Sequence, residues 1–376
     1  MTGGYHITLD GPAQSALREL VEPEIFERIL ASASALRLRE PDAFWDRKGR
    51  MLGHGGDRSD DPGVDIDRIT LRLLLAEAAG DSLRLGRTVT EVGRTAEGRP
   101  DVRFADGSSA TGDLLVGADG VHSLVARHLA GGPTNRPAGI IGFSGRTSAL
   151  DLDPDEQRRL GPRSGMVIGP RGAALYVGFL DPAGNAVLDA PGFRASITTG
   201  PTYIWGAMFP ESPRTGSLRE LAGPALRDTL LARFRQHGWS ERPLEVITRA
   251  DAASVAAFRF NAASTRARDL APWPAGRTTA LGDAVHATPP TAGMGAGVAI
   301  RDAASLVTHL QEARADTMAL SVAVSRFEAE MRLRGGAMLT LAMKTVRMIL
   351  ATDTRFGAVL TGAALPTLAA VQRLRR

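Results

Sequence analysis

The stretch that most constrains the fold is Thr278–Leu306, TTALGDAVHATPPTAGMGAGVAIRDAASL. Thr278–Leu281 is a short β-prone run, and Gly282-Asp283 allows a sharp turn where a strand ends. Pro289, Pro290, Gly293, Gly295 and Gly297 follow, then an Ala-rich segment with Ile300, Ala303, Ala304 and Val307 at helical spacing. The pattern predicts a strand, an acidic turn, a glycine-rich loop and a helix N-terminus. Such a layout suits a ligand with hydroxyl and anionic groups. A carboxylate at a strand end accepts hydrogen bonds from a polyol, glycines let the backbone come close, and a helix start offers unpaired N–H groups and a positive dipole end. A lone Gly-x-Gly more often marks an ordinary strand–loop–helix connection. The ordered series of acidic turn, paired prolines and spaced glycines is more specific.

A second motif lies at Asp113–Ala130, DLLVGADGVHSLVARHLA. Leu114–Ala118 reads as a short apolar strand of the buried parallel type, Asp119-Gly120 as its turn and Val121–Leu129 as a helix. Ser123 at the helix start is explained by capping more simply than by nucleophilic chemistry.

Together these two motifs resemble the FAD-dependent aromatic-ring hydroxylase family, the group A flavoprotein monooxygenases. The resemblance runs from about Gly3 to Arg334. It implies that Gly282 and Asp283 hold a ribityl hydroxyl, and that Pro289, Gly293, Gly295 and Ala296 bring the helix N-terminus to the flavin N1–C2=O edge. It places Asp119 and Gly120 near the FAD pyrophosphate and ribityl chain. Arg68, at the head of its own helix, matches an arginine that reaches toward FAD, with a solvated surface arginine as the competing reading. Ala292 stands where the family usually has Gly, Gly297 where it has Asn, and Ala126 where it has Arg, with Arg127 next to it. The last departure bears on nicotinamide-nucleotide handling more than on flavin binding.

The implied fold class is α/β: a glutathione-reductase-type FAD-binding domain, N-terminally incomplete, with a β-rich substrate domain and C-terminal helices. The implied division is a discontinuous FAD-binding domain at 1–34, 62–135 and 259–315, a substrate domain at 35–61 and 136–258, and a helical segment at 316–376. The implied chemistry is reduction of FAD by NAD(P)H, capture of O2 by the reduced flavin, and oxygen transfer to an aromatic or polyketide-like small molecule. The cofactor carries that reaction, and no catalytic side chain is assigned. No G-x-G-x-x-G opening a helix after a strand occurs in the chain, so the sequence begins about one βαβ unit late relative to the family. Two expectations follow. In one, the natural start lies upstream or the chain is shortened, and the protein is an FAD monooxygenase. In the other, the scaffold has become flavin-independent and serves as a cyclase, an isomerase or a binding protein in natural-product biosynthesis.

Composition sets the outer limits. At 376 residues, 43% hydrophobic and 23% charged, the chain can bury a sizeable core. The pI near 10 suggests nucleic acid, yet the net charge is only +4. Arginine supplies nearly all the basic residues, Lys48 and Lys344 being the only lysines, and no basic run is interleaved with aromatics. The absence of cysteine excludes disulfides, thiolate metal sites and thiol catalysis. The scattered histidines suggest no metal site, and His286 within the glycine-rich loop is read equally as a loop-shaping or a catalytic group. MTGGYHITLD lacks the marks of a secretory leader, and no apolar run is long enough to span a bilayer. A soluble, cytoplasmic protein is the expectation, with its oligomeric state open.

Elsewhere the reading is coarser. Gly3–Leu9 is expected to be a strand, Gly11–Leu20 a helix, Ala35–Trp45 part of a hairpin turning near Lys48-Gly49, and Asp57–Asp67 a polar loop. Arg68–Ala79 is an amphipathic helix; Leu83–Leu85, Thr88–Val92 and Val102–Phe104 are strand candidates. Strands are expected at Ile140–Ser144, Met166–Ile168, Ala174–Leu180, Ser196–Thr198 and Tyr203–Phe209, with a helix at Leu218–Gln236. Phe143, Tyr176, Trp205, Met208, Phe209 and Phe258 are candidates to line an apolar substrate pocket, each with plain core packing as its alternative. Helices are expected at Ser321–Arg334, Ala337–Ala351 and Ala358–Leu374.

Overall fold

Strands and helices alternate through this molecule, a computed structural model in which residues 6–182, 200–315 and 318–359 are described. The expected strand at Ser196–Thr198 and most of the expected helix Ala358–Leu374 lie outside those residues.

The chain starts with β1 (His6–Leu9), α1 (Gly11–Leu20), α2 (Pro23–Ala31), β2 (Ala33–Ala35), the hairpin β3 (Ala43–Trp45) and β4 (Met51–His54), and β5 (Val64–Asp67). Asp10 caps α1 by accepting from the Ala13 N–H at 2.9 Å. β5 pairs with both β1 and β2, so Val64–Asp67 is a buried strand, not the end of a polar loop. Its valine–aspartate–isoleucine–aspartate sequence alternates as a strand should. The aspartates are tolerated because Arg39 reaches Asp65 at 2.7 Å and Arg146 reaches Asp67 at 2.6 Å.

Next come α3 (Arg68–Ala79) and a small antiparallel sheet of β6 (Val89–Arg94), β7 (Pro100–Phe104) and β8 (Ser109–Thr111). No strand forms at Leu83–Leu85, where Leu85 is 82% exposed and has no apolar surface to cover. After β9 (Leu115–Gly117) and α4 (Leu124–Ala130), the chain enters the long strand β10 (Arg136–Ser148).

A seven-stranded sheet forms around β10, in the order β14–β10–β13–β12–β11–β3–β4, with β11 (Gly165–Ile168), β12 (Ala174–Leu180), β13 (Thr202–Pro210) and β14 (Ala256–Ala262). One face packs on α5 (Pro154–Leu160), α7 (Gly223–Gln236) and α8 (Glu241–Thr248), with the short α6 (Pro213–Gly216) following β13; Trp45, Phe143, Trp205, Phe209, Phe234 and Trp239 share its core. The helix expected from Leu218 begins as α7 only at Gly223, because Ala222 is extended and Pro224 sits in the first turn.

The chain then returns to β9. β15 (Thr278–Ala280) pairs with it in parallel, followed by α9 (Asp283–His286), α10 (Gly295–Arg314), α11 (Leu320–Ala351) and α12 (Arg355–Val359). The two helices expected on either side of Gly335-Gly336 are one. Both glycines are helical and make close contacts: a Cβ at 335 would lie 2.8 Å from the His286 Cβ, and one at 336 3.3 Å from the Ala267 Cβ. They let α11 lie against the loop, and the resulting helix is 32 residues long. Glu328 ties it to β15, accepting from Trp273 Nε1 at 2.9 Å and Thr279 Oγ1 at 2.7 Å. No helix among the described residues is long and apolar enough to cross a membrane.

Candidate active site

Parallel pairing of β9 and β15 puts two turns side by side at the carboxyl ends of both strands, where ligands bind in open α/β sheets. Thr134 Oγ1, beyond the first turn, donates to the Ala284 carbonyl in the second at 3.1 Å. In the first, Gly120 has φ +76° and open space where a Cβ would stand. Asp119 turns its carboxylate onto the start of α4, accepting from Ser123 Oγ at 2.5 Å and Leu124 N–H at 2.7 Å. Ser123 in turn caps Ala126 N–H at 2.9 Å.

In the second turn Gly282 has φ +61°, and its Cβ would lie 3.1 Å from that of Ala299, so glycine is required twice over. Asp283 is exposed at the surface of the cleft, while the protein around it raises its carboxyl above the ordinary range; His286, the Thr288 N–H and Arg68 act against that rise. The structure therefore places Arg68 within electrostatic reach of Asp283. Pro289 is buried, and Gly293, with φ +70°, redirects the chain so that its carbonyl accepts from Thr8 N–H at 3.2 Å. α10 starts two residues later without a side-chain cap, leaving the first N–H groups, at Gly295 and Ala296, for the cleft. A Cβ at Gly297 would stand 3.2 Å from that of Ala13, so glycine there admits α1 against α10.

His286 belongs to the scaffold. It is buried with Nε2 2.5 Å from Asp302 Oδ2, and Asp302 also accepts from Arg334 Nε at 3.0 Å. This clasp joins the loop to α10 and α11.

A cavity of about 400 Å³ opens between residues 290–294 of this loop and the second face of the seven-stranded sheet. Tyr176, Met208 and Phe258 line it from that face. Phe143 and Trp205 border it, but their rings belong to the core on the opposite face. Phe209 lies away from it, against Phe143 and Phe234, because strand alternation turns it the other way.

The polar wall was not visible in the sequence. It brings together His6 and Thr8 of β1, Asp65 of β5, Asp42 and Arg58 beside the hairpin, and Ser144 of β10. Asp65 accepts from Thr8 Oγ1 at 2.5 Å and Arg39 at 2.7 Å. Burial drives His6 down, and His6, Arg39 and Thr8 together hold Asp65 below the usual carboxylate range against its own burial. Tyr176 Oη stands 3.2 Å from His6 Nε2, and burial raises its phenol well above the ordinary value. Alternation around Asp65 and around Phe258 and Phe260 was the available signal. Nothing local announced that these strands meet.

Residues 238–339 match the family model of the FAD binding domain. The chain is 26% identical over 283 residues to chloroplastic zeaxanthin epoxidase of Spinacia oleracea, covering 74% of this chain and 37% of that protein. It is 28% identical over 247 residues to the FAD-dependent urate hydroxylase of Mycolicibacterium vanbaalenii, covering 64% and 53%. Among solved structures, Klebsiella pneumoniae HpxO complexed with FAD and uric acid superposes with a TM-score of 0.72 at 23% identity, covering 98% of this chain and 84% of that one. Pseudomonas aeruginosa PqsL in complex with 2-aminobenzoylacetate gives 0.67 at 19% identity, covering 95% and 89%. The chain is thus similar to FAD-dependent monooxygenases, and residues 238–339 carry its match to an FAD binding domain. It spans about half or less of the length of these two curated relatives.

Proposed function

We propose that the protein is a cytoplasmic FAD-dependent monooxygenase that hydroxylates or epoxidises an aromatic or polyketide-like small molecule, with NAD(P)H as reductant and O2 as oxidant. One observation carries the reading: residues 290–294 of the flavin motif form one wall of a cavity whose opposite wall is the half-apolar sheet face. A reacting group bound there faces the cofactor loop and little water.

The residues present fit the flavin half of FAD. Asp283 stays accessible to accept from a ribityl hydroxyl, Gly120 leaves open space at its turn, and the uncapped start of α10 suits the partial negative charge of a flavin N1–C2=O edge. FAD, when bound, supplies electron transfer from the nicotinamide nucleotide and activation of O2. This chain's residues orient it, hold the loop through His286, Asp302 and Arg334, and keep the apolar substrate dry.

A second reading rests on Asp119, whose carboxylate is occupied at the start of α4 without any cofactor. In it the same cavity serves a flavin-independent cyclase, isomerase or binding protein.

Visible absorption spectra before and after FAD addition separate the two. A bound-flavin spectrum that bleaches with NAD(P)H and recovers in air supports the monooxygenase. A folded, colourless protein that ignores FAD overturns it. Asp283→Ala is expected to weaken FAD binding about tenfold, for loss of one charge-assisted hydrogen bond, as read by flavin fluorescence titration.

A further inference from the structure

The charged groups of the cavity are already matched to one another. Arg58 lies 3.0 Å from Asp42 and 2.8 Å from Asp61, and Arg39 lies 2.7 Å from Asp65. Two lining carboxylates, Asp42 and Asp65, thus stand with one lining guanidinium, Arg58, and with His6. Among the described residues no cation lining the cavity lacks a carboxylate partner. Asp42 stands with Phe44, which is 48% exposed, where the cavity meets solvent. A carboxylate entering there meets the Asp42 carboxylate in a medium less polar than water.

One polar group, by contrast, is left over. Ser144 is 2% exposed, lines the cavity, and its hydroxyl has no hydrogen-bond partner. It sits directly across from Gly206, which in turn sits across from Tyr176. A Cβ at 206 would meet nothing closer than 3.9 Å, so the space in front of Ser144 is open. A buried, unpartnered hydroxyl is costly in an empty protein and becomes useful when a ligand brings the missing partner.

We infer that the cavity selects an uncharged, largely apolar ligand with one hydrogen-bonding group, that Ser144 anchors that group, and that Asp42 bars anions. This rests on the cavity being the substrate site of the proposed monooxygenase. The probes are 2-naphthol and 6-hydroxy-2-naphthoate, titrated calorimetrically into the full chain with and without saturating FAD.

Wild-type protein is expected to bind the naphthol at least tenfold more tightly than the naphthoate. Ser144→Ala should weaken naphthol binding about fivefold, the worth of one hydrogen bond, while leaving the melting temperature unchanged or raised. A merely structural serine would lower it. Asp42→Asn should narrow the naphthol-over-naphthoate preference severalfold. Equal affinity for the two probes in the wild type, or an Asp42→Asn variant whose preference is unchanged, overturns the inference. Naphthol binding by a protein that refuses FAD supports this selectivity and removes the monooxygenase reading. FAD binding without naphthol binding does the reverse.

Discussion

The two faces of the seven-stranded sheet are made from the same strands and treated oppositely. On one, Trp205, Phe143 and Phe209 interlock with α7 and α8, and a Cβ added at Gly145 would fall 2.4 Å from the Trp205 ring. On the other, one rung along the same pair of strands, Ser144 faces Gly206 across open space. Stability is concentrated where packing is dense, and the binding face keeps an unfilled volume and an unpaired hydroxyl. A fold can carry such a cavity because the strands that line it are anchored from behind.

Four substitutions put that contrast at risk, in descending order of effect on stability. Trp205→Ala should cost about 3–5 kcal/mol through the cavity it leaves in the dense face, measured by denaturant unfolding. Gly145→Ala should cost about 1–3 kcal/mol by overpacking against Trp205, and a loss below that range would show the dense face to be pliable. Gly206→Val, on the open face, should change stability by less than about 1 kcal/mol, since valine suits a strand and its Cβ meets nothing closer than 3.9 Å. It should nevertheless abolish naphthol binding in calorimetry, and a stable variant that still binds would place the ligand elsewhere.

The smallest effect concerns His237, which packs edge-on against Phe209 at 5.6 Å. Burial, with Arg233 and Arg171 nearby, lowers its pKa from 6.5 to about 4. A base whose folded pKa is depressed stabilises fully above its unfolded value and loses that contribution as it is forced to charge. Melting temperature should therefore fall as pH drops from 6.5 toward 4. His237→Leu should flatten that window by a few degrees, although buried His6 contributes with the same sign. An unchanged slope in the variant would assign the dependence to other groups.

The turns and loop of the candidate cofactor site were legible because they are local. Gly282, Asp283, Pro289, Gly293 and Gly295 fall within one short stretch, and each shapes the backbone or a turn that neighbouring residues dictate. The long strands were legible from alternation, which also explains the misplacement of Phe209. Apolar residues on both faces mark a strand covered twice without saying which cover is a cavity. Val64–Asp67 was hidden by its aspartates, whose partners Arg39, Thr8 and Arg146 lie far away in sequence. The polar wall was hidden for the same reason, being assembled from β1, β5, the hairpin and β10. Gly335 and Gly336 read as a break because propensity describes an isolated helix, whereas here their missing side chains are what tertiary contact needs.

The pairing of β9 with β15 has a consequence in time. Thr278 lies beside Leu115, and every strand of the seven-stranded sheet except β3 and β4 is encoded between them. During synthesis the first turn therefore emerges long before its companion, and the cleft does not exist until the chain has been made past residue 283. Folding of the intervening sheet shortens the effective loop that this pairing must close. The cleft is thus completed only after the intervening sheet has been made, and a lesion that slows folding of that sheet delays completion of the cleft without touching a single residue of it.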